Sequence, residues 1–184
     1  MKQKLRDFLQ PYAIILACIA AAIFYGIVHD QITARVCVEY FSVFHPKIIE
    51  STDPTDLAFA FGVAATWWVG AILGVPLAIA ARSGSYPRRS IGSLVRPVGT
   101  LMAVMAACAL ASGILGYTLG KAGIWTPPEG VAEVLPEAKH PNFLADWAAH
   151  NASYAVGFLG GLVVIGRVWV GRKKAPAEGV RPGA

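Results

Sequence analysis

Four histidines and a few carboxylates are the side chains of this 184-residue chain whose types and placement suggest chemistry. They are His29, His45, His140 and His150, with Asp30, Glu39 and Asp146 close to them in sequence. Neutral imidazole together with carboxylate is a donor set suited to zinc, copper, nickel or iron. The ligands expected from this pattern are His29, His45, His150 and Glu39. Asp30, Arg35 and Asp146 would stand behind them, orienting the ring nitrogens. The cofactor would be one transition-metal ion, zinc, copper or iron. On a helix, Asp146 and His150 lie four apart and share a face. No His-x-x-x-His or Cys-x-x-Cys occurs, so such a site must gather ligands from separate helices. The plainer reading, which the sequence favours, makes these histidines polar tips at a membrane boundary.

The elements that would carry these residues are set by composition. Apolar residues make up 55% of the chain and charged residues only 15%, well short of the roughly 25% usual in soluble domains. About 20 apolar residues span a bilayer as a helix. Four stretches qualify, residues 12–28, 57–81, 98–120 and 151–166, and none holds Asp, Glu, Lys, Arg or His. The expected fold is therefore all-α, a polytopic four-transmembrane-helix bundle. Residues 1–174 form its single domain, with a disordered tail over 175–184.

Charge orients the spans. The N-terminus, the loop 82–97 and the tail hold twelve Lys and Arg against Asp7 and Glu178 alone. The loops 29–56 and 121–150 hold four bases and nine acids. Positive charge stays cytoplasmic, so both termini are expected inside and every histidine outside, in a bacterial inner membrane. The pI near 9.3 is then a sign of topology, and no nucleic-acid partner is implied. The expected surroundings are the lipid bilayer, with other membrane subunits or further copies of the chain as possible partners.

Residues 31–45 are expected to add an amphipathic outer-face helix. Gln31, Arg35, Glu39 and Ser42 make one narrow polar stripe on it, Arg35 and Glu39 pair four apart, and Pro46 ends it. Small residues at four-residue spacing, Gly70 and Gly74, Gly116 and Gly120, Gly157 and Gly161, are expected to let helix backbones approach closely. Pro76 predicts a kink and Pro97 a helix start. Three cysteines, Cys18, Cys37 and Cys108, imply no disulfide framework.

No phosphate loop, nucleophile elbow or haem-attachment motif is present. The segment His-Asp-Gln-Ile-Thr-Ala-Arg-Val-Cys-Val-Glu-Tyr-Phe over 29–41, with Ala-Thr-Trp-Trp-Val-Gly over 65–70, resembles a group of uncharacterised bacterial four-span membrane proteins. That resemblance implies a bacterial membrane and no mechanism. The function expected from the sequence is a non-enzymatic accessory or assembly component. The alternatives are a metal-binding protein or metal-dependent enzyme with a histidine/carboxylate site, and a small-solute or lipid transporter.

Overall fold

The computed structural model describes residues 2–174, and the tail 175–184 lies outside them. Among the described residues the secondary structure is helical throughout. The elements are α1 (Lys2–Val36), α2 (Val38–Ser42), α3 (Pro54–Ala64), α4 (Trp67–Arg82), α5 (Gly92–Lys121), α6 (Glu129–Ala132), a 3-10 turn (Glu137–Lys139) and α7 (His140–Lys174). α1, α3 with α4, α5, and the 3-10 turn with α7 make four segments long and apolar enough to cross a membrane. At 35 residues each, α1 and α7 reach about 52 Å, more than the roughly 30 Å of a hydrocarbon core. Their ends therefore project beyond it.

Apolar side chains cover the outside. Phe24, Ile72, Ile114 and Leu159 are each more than half exposed. Water would not tolerate so much contiguous apolar surface, whereas lipid matches it. The chain is a four-helix membrane bundle.

Two helix pairs build it: α1 lies against α3 and α4, and α5 lies against α7. Contact between α4 and α7 joins the pairs, while α1 and α5 scarcely touch. The core is divided between the two ends. At one end Tyr40, Phe41, Leu57, Phe61, Leu135 and Phe143 pack together. At the other, Ile14, Leu77, Ala78, Ala81 and Leu94 do so. We call these the histidine end and the arginine end.

Glycines set the close approaches. A Cβ at Gly70 would fall 2.6 Å from the Cα of Ile19, so any side chain there would force α4 off α1. Gly74 faces Cys18 and Ile15 of α1, while Gly116 and Gly120 face Leu144 and Pro141 of α7. Gly157 lies under Met105, and Gly161 under Leu73. All six thus abut neighbours within the same chain.

Three details depart from the sequence reading. First, the second span is two helices, broken at Ala65 and Thr66. There the Thr66 hydroxyl donates to the Gly62 carbonyl at 2.5 Å, while its N–H turns back to Val63. A side-chain donor has displaced the helical ladder, as threonine is able to do. Pro76 and Pro97 both lie inside helices, and α5 begins at Gly92. Second, α1 runs on to Val36. Cys37 is then extended (φ −147°, ψ 91°), so the outer helix expected over 31–45 is reduced to the five residues of α2. Third, the fourth long helix begins at His140 rather than near 151, which makes Asp146 and His150 members of α7.

Candidate metal centre

Two long helices bring the histidines together. His29 and Asp30 lie near the C-terminal end of α1, and His150 lies ten residues into α7. One donor atom from each of the three falls within 4.8 Å of the others. Nε2 of His150 stands 3.3 Å from Oδ1 of Asp30. The His29 and His150 rings meet edge to face, with centroids 4.6 Å apart. Four ligands placed tetrahedrally at about 2.1 Å from a metal are separated by about 3.4 Å, so the His150–Asp30 spacing already suits an ion, while the wider separations in the cluster must close by up to about 1.4 Å.

Hydrogen bonds around the cluster decide which lone pairs are free. His150 Nδ1 lies 2.8 Å from the Asp146 carbonyl, one turn back along α7. A carbonyl only accepts, so Nδ1 carries the proton and, in the neutral ring, Nε2 keeps its lone pair toward Asp30. This is the arrangement by which metal-binding imidazoles are held. The sequence assigned the orienting role to the Asp146 carboxylate, but the backbone of that residue performs it. Nε2 of His29 is buried and meets no hydrogen-bond partner. Oδ2 of Asp146 is likewise unmet, on a side chain 1% exposed.

Aromatic groups enclose the cluster. Tyr40 stacks on His150 (centroids 4.6 Å) and Tyr25 on His29 (5.8 Å). The Tyr25 hydroxyl is 2.8 Å from that of Ser153. Phe41 lies edge-on to the His150 ring, with centroids 5.6 Å apart.

The remaining expected ligands stand apart. His45 touches Tyr40 and Phe61 and directs Nδ1 to the Tyr40 carbonyl at 2.6 Å, so it lines the same cavity outside the donor cluster. Glu39 turns to Lys139, with the Cys37 thiol on its other oxygen. The expected Arg35–Glu39 pair does not form, because the break at Cys37 takes Glu39 off the face that Arg35 occupies. Arg35 binds the carbonyl and side chain of Gln31 and the hydroxyl of Thr55, tying α1 to α3. Partial burial works against the Glu39 carboxylate, but the hydrogen bond from Lys139 and its neighbours outweigh it, and the carboxyl sits below the ordinary glutamate range. Burial pushes the Cys37 thiol up to about 12. His140 gives Nε2 to the Leu135 carbonyl and takes no part.

One residue counted in the sequence only as a topological charge has a specific task. Arg172 is fully buried, and its guanidinium donates to the carbonyls of Ala80, Ser83, Tyr86 and Pro87. It closes the C-terminus of α4 and holds the loop that follows. Gly84 turns that loop at φ +79°, a conformation open to glycine. A single arginine in a basic flank carries no sequence sign of such a role.

Compared with known protein families, curated proteins and solved structures, the chain matches none. The likeness read from residues 29–41 therefore assigns no family.

Proposed function

We propose that this chain is an integral membrane protein that binds one first-row transition-metal ion through His29, Asp30 and His150. The observation that carries the reading is the gathering of one donor atom from each of the three side chains within 4.8 Å of the others. His29 Nε2 meets no hydrogen-bond partner, His150 Nε2 faces a carboxylate with its proton on the other nitrogen, and Asp30 supplies that carboxylate. A protonated His150 would answer Asp30 alone and leave His29 unmet. A cation between them answers all three. Two histidines and one carboxylate are a ligand set used by zinc hydrolases and by non-haem iron sites, and three protein donors keep a position for water or substrate. The charge asymmetry supports placing the arginine end in the cytoplasm and the metal on the far side of a bacterial inner membrane. A purely accessory role would give the unmet nitrogen no task.

Protein purified without chelator and loaded with zinc is expected to carry one ion per chain by elemental analysis. His29→Ala and His150→Ala are each expected to lose it, while His45→Ala and Glu39→Gln keep it. Full zinc retention by His29→Ala, or no stoichiometric metal in the parent chain, overturns the reading.

A further inference from the structure

The donor cluster closes one end of a cavity of about 200 Å³. From Asp30 and His150 its wall runs past Tyr25, Gly70 and Met105 to Leu77 and Val164. His150 and Val164 are fourteen residues apart on α7, a rise of about 21 Å. The volume exceeds the roughly 150 Å³ of an apolar cavity that takes a benzene ring, and its lining is drawn out along the bundle into a slot. An elongated space of that kind suits an extended chain better than a compact ring system.

Polarity along the slot is one-sided. Imidazoles, tyrosines and Ser153 gather at the histidine end, and the rest of the wall is almost wholly apolar. Thr66 is the polar side chain nearest the middle, and its hydroxyl is already donated to Gly62. A water-soluble solute would find no partners along this path, whereas a hydrocarbon would. The slot is also weakly closed on one side. Both α1 and α5 line it, yet they scarcely touch, so no close helix-to-helix packing seals the slot between them. Met102 and Met105 of α5 line the slot, and unbranched thioethers adapt readily to a variable chain.

We infer that the slot holds the tail of a single-chain membrane amphiphile, which slides in between α1 and α5 and sets its oxygen-bearing head at the ion held by His29, Asp30 and His150. The head placement rests on the metal reading above. It gives the open coordination position a ligand class, a carboxylate or hydroxyl on a long aliphatic chain, delivered from the bilayer rather than from water.

The full chain in phospholipid nanodiscs would be irradiated with a sixteen-carbon fatty acid bearing a diazirine near its methyl end, zinc-loaded and zinc-stripped in parallel. Labelled residues are then mapped by mass spectrometry. In the loaded protein, label is expected at Leu77, Val98 or Val164, falling at least fivefold on stripping. Ala22→Phe, which fills the slot, is expected to lower that label at least fivefold while keeping its zinc. Met105→Trp serves as the second filler if Ala22→Phe fails to assemble. Label confined to outward residues such as Ile114 and Leu159 in zinc-bound protein overturns the inference and leaves the metal reading standing. Slot labelling that ignores zinc overturns the head placement. A parent chain that binds no zinc removes the metal reading, and the head placement with it.

Discussion

At the arginine end, a fully buried guanidinium meets four backbone carbonyls, and Arg82 reaches both Asp7 and the carbonyl of Arg89. At the histidine end, two aromatic-capped helices bury an imidazole nitrogen and a carboxylate oxygen that no protein group meets. Both ends bury polar groups at comparable depth, so the contrast is one of completion. A satisfied polar cluster stabilises a fold and needs nothing further. An unsatisfied one raises the free energy of the apo protein; the proposed ion would complete the His29 nitrogen, while Asp146 Oδ2 lies outside the donor cluster. Opposite responses to deletion are therefore expected from the two ends.

The largest effect belongs to Arg172. Arg172→Ala strips the donors from four carbonyls around the end of α4 and is expected to destabilise by on the order of 3 kcal/mol, read as a lower melting temperature in detergent. Arg172→Lys should rescue little, since one ammonium cannot reproduce a planar fork aimed at carbonyls on several sides. An unchanged melting temperature in Arg172→Ala would remove one side of the contrast.

His29→Leu gives the opposite sign. It removes a buried nitrogen without a partner and is expected to raise the stability of the zinc-free protein by about 1 kcal/mol while abolishing zinc uptake. The parent chain should gain stability on adding zinc, whereas the variant should not. A zinc-free His29→Leu protein that melts below the parent would show that the imidazole is already satisfied.

Much of this arrangement was legible in the sequence, for identifiable reasons. The four apolar spans follow from composition alone, since hydrocarbon thickness dictates their length. The packing glycines were visible because close helix approach leaves a four-residue period. His29 and His150 stood out by position. The membership of the cluster did not. Asp30 joins the donor cluster and Glu39 does not because Cys37 breaks the backbone between them, and no residue of the 31–45 stripe announces that break. Thr66 is equally silent: its side-chain bond to Gly62 divides the second span, while the more obvious Pro76 leaves the helix intact. Arg172 was hidden in a flank where every basic residue already had an electrostatic explanation.

Cys37 tests how dry the boundary of the cluster is. Its thiol is buried and held near 12, so thiolate is scarce at neutral pH. Maleimide at pH 7.5 is expected to leave Cys37 unmodified in the folded protein and to label it on denaturation. Rapid labelling of the native state would mean that water reaches the aromatic cap.

Glu39 gives the smallest effect and the sharpest distinction between the site implied by the sequence and the one found in the fold. Its carboxyl lies below the ordinary 4.5 because Lys139 and its other donors outweigh the cost of partial burial. A carboxylate with a depressed value stabilises the fold fully above the unfolded value and loses that contribution as pH falls through the folded one. Stability of the zinc-free parent is therefore expected to decline slightly as pH drops below 4.5, and Glu39→Gln should flatten that part of the profile. The amplitude should be less than that of His29→Leu, because the Lys139 side chain is half exposed and solvent screens the pair. Zinc stoichiometry in Glu39→Gln should equal that of the parent at pH 7. Loss of zinc there would return Glu39 to the ligand set and place the metal beyond the Cys37 break, among residues that the fold assigns to an ordinary surface ion pair.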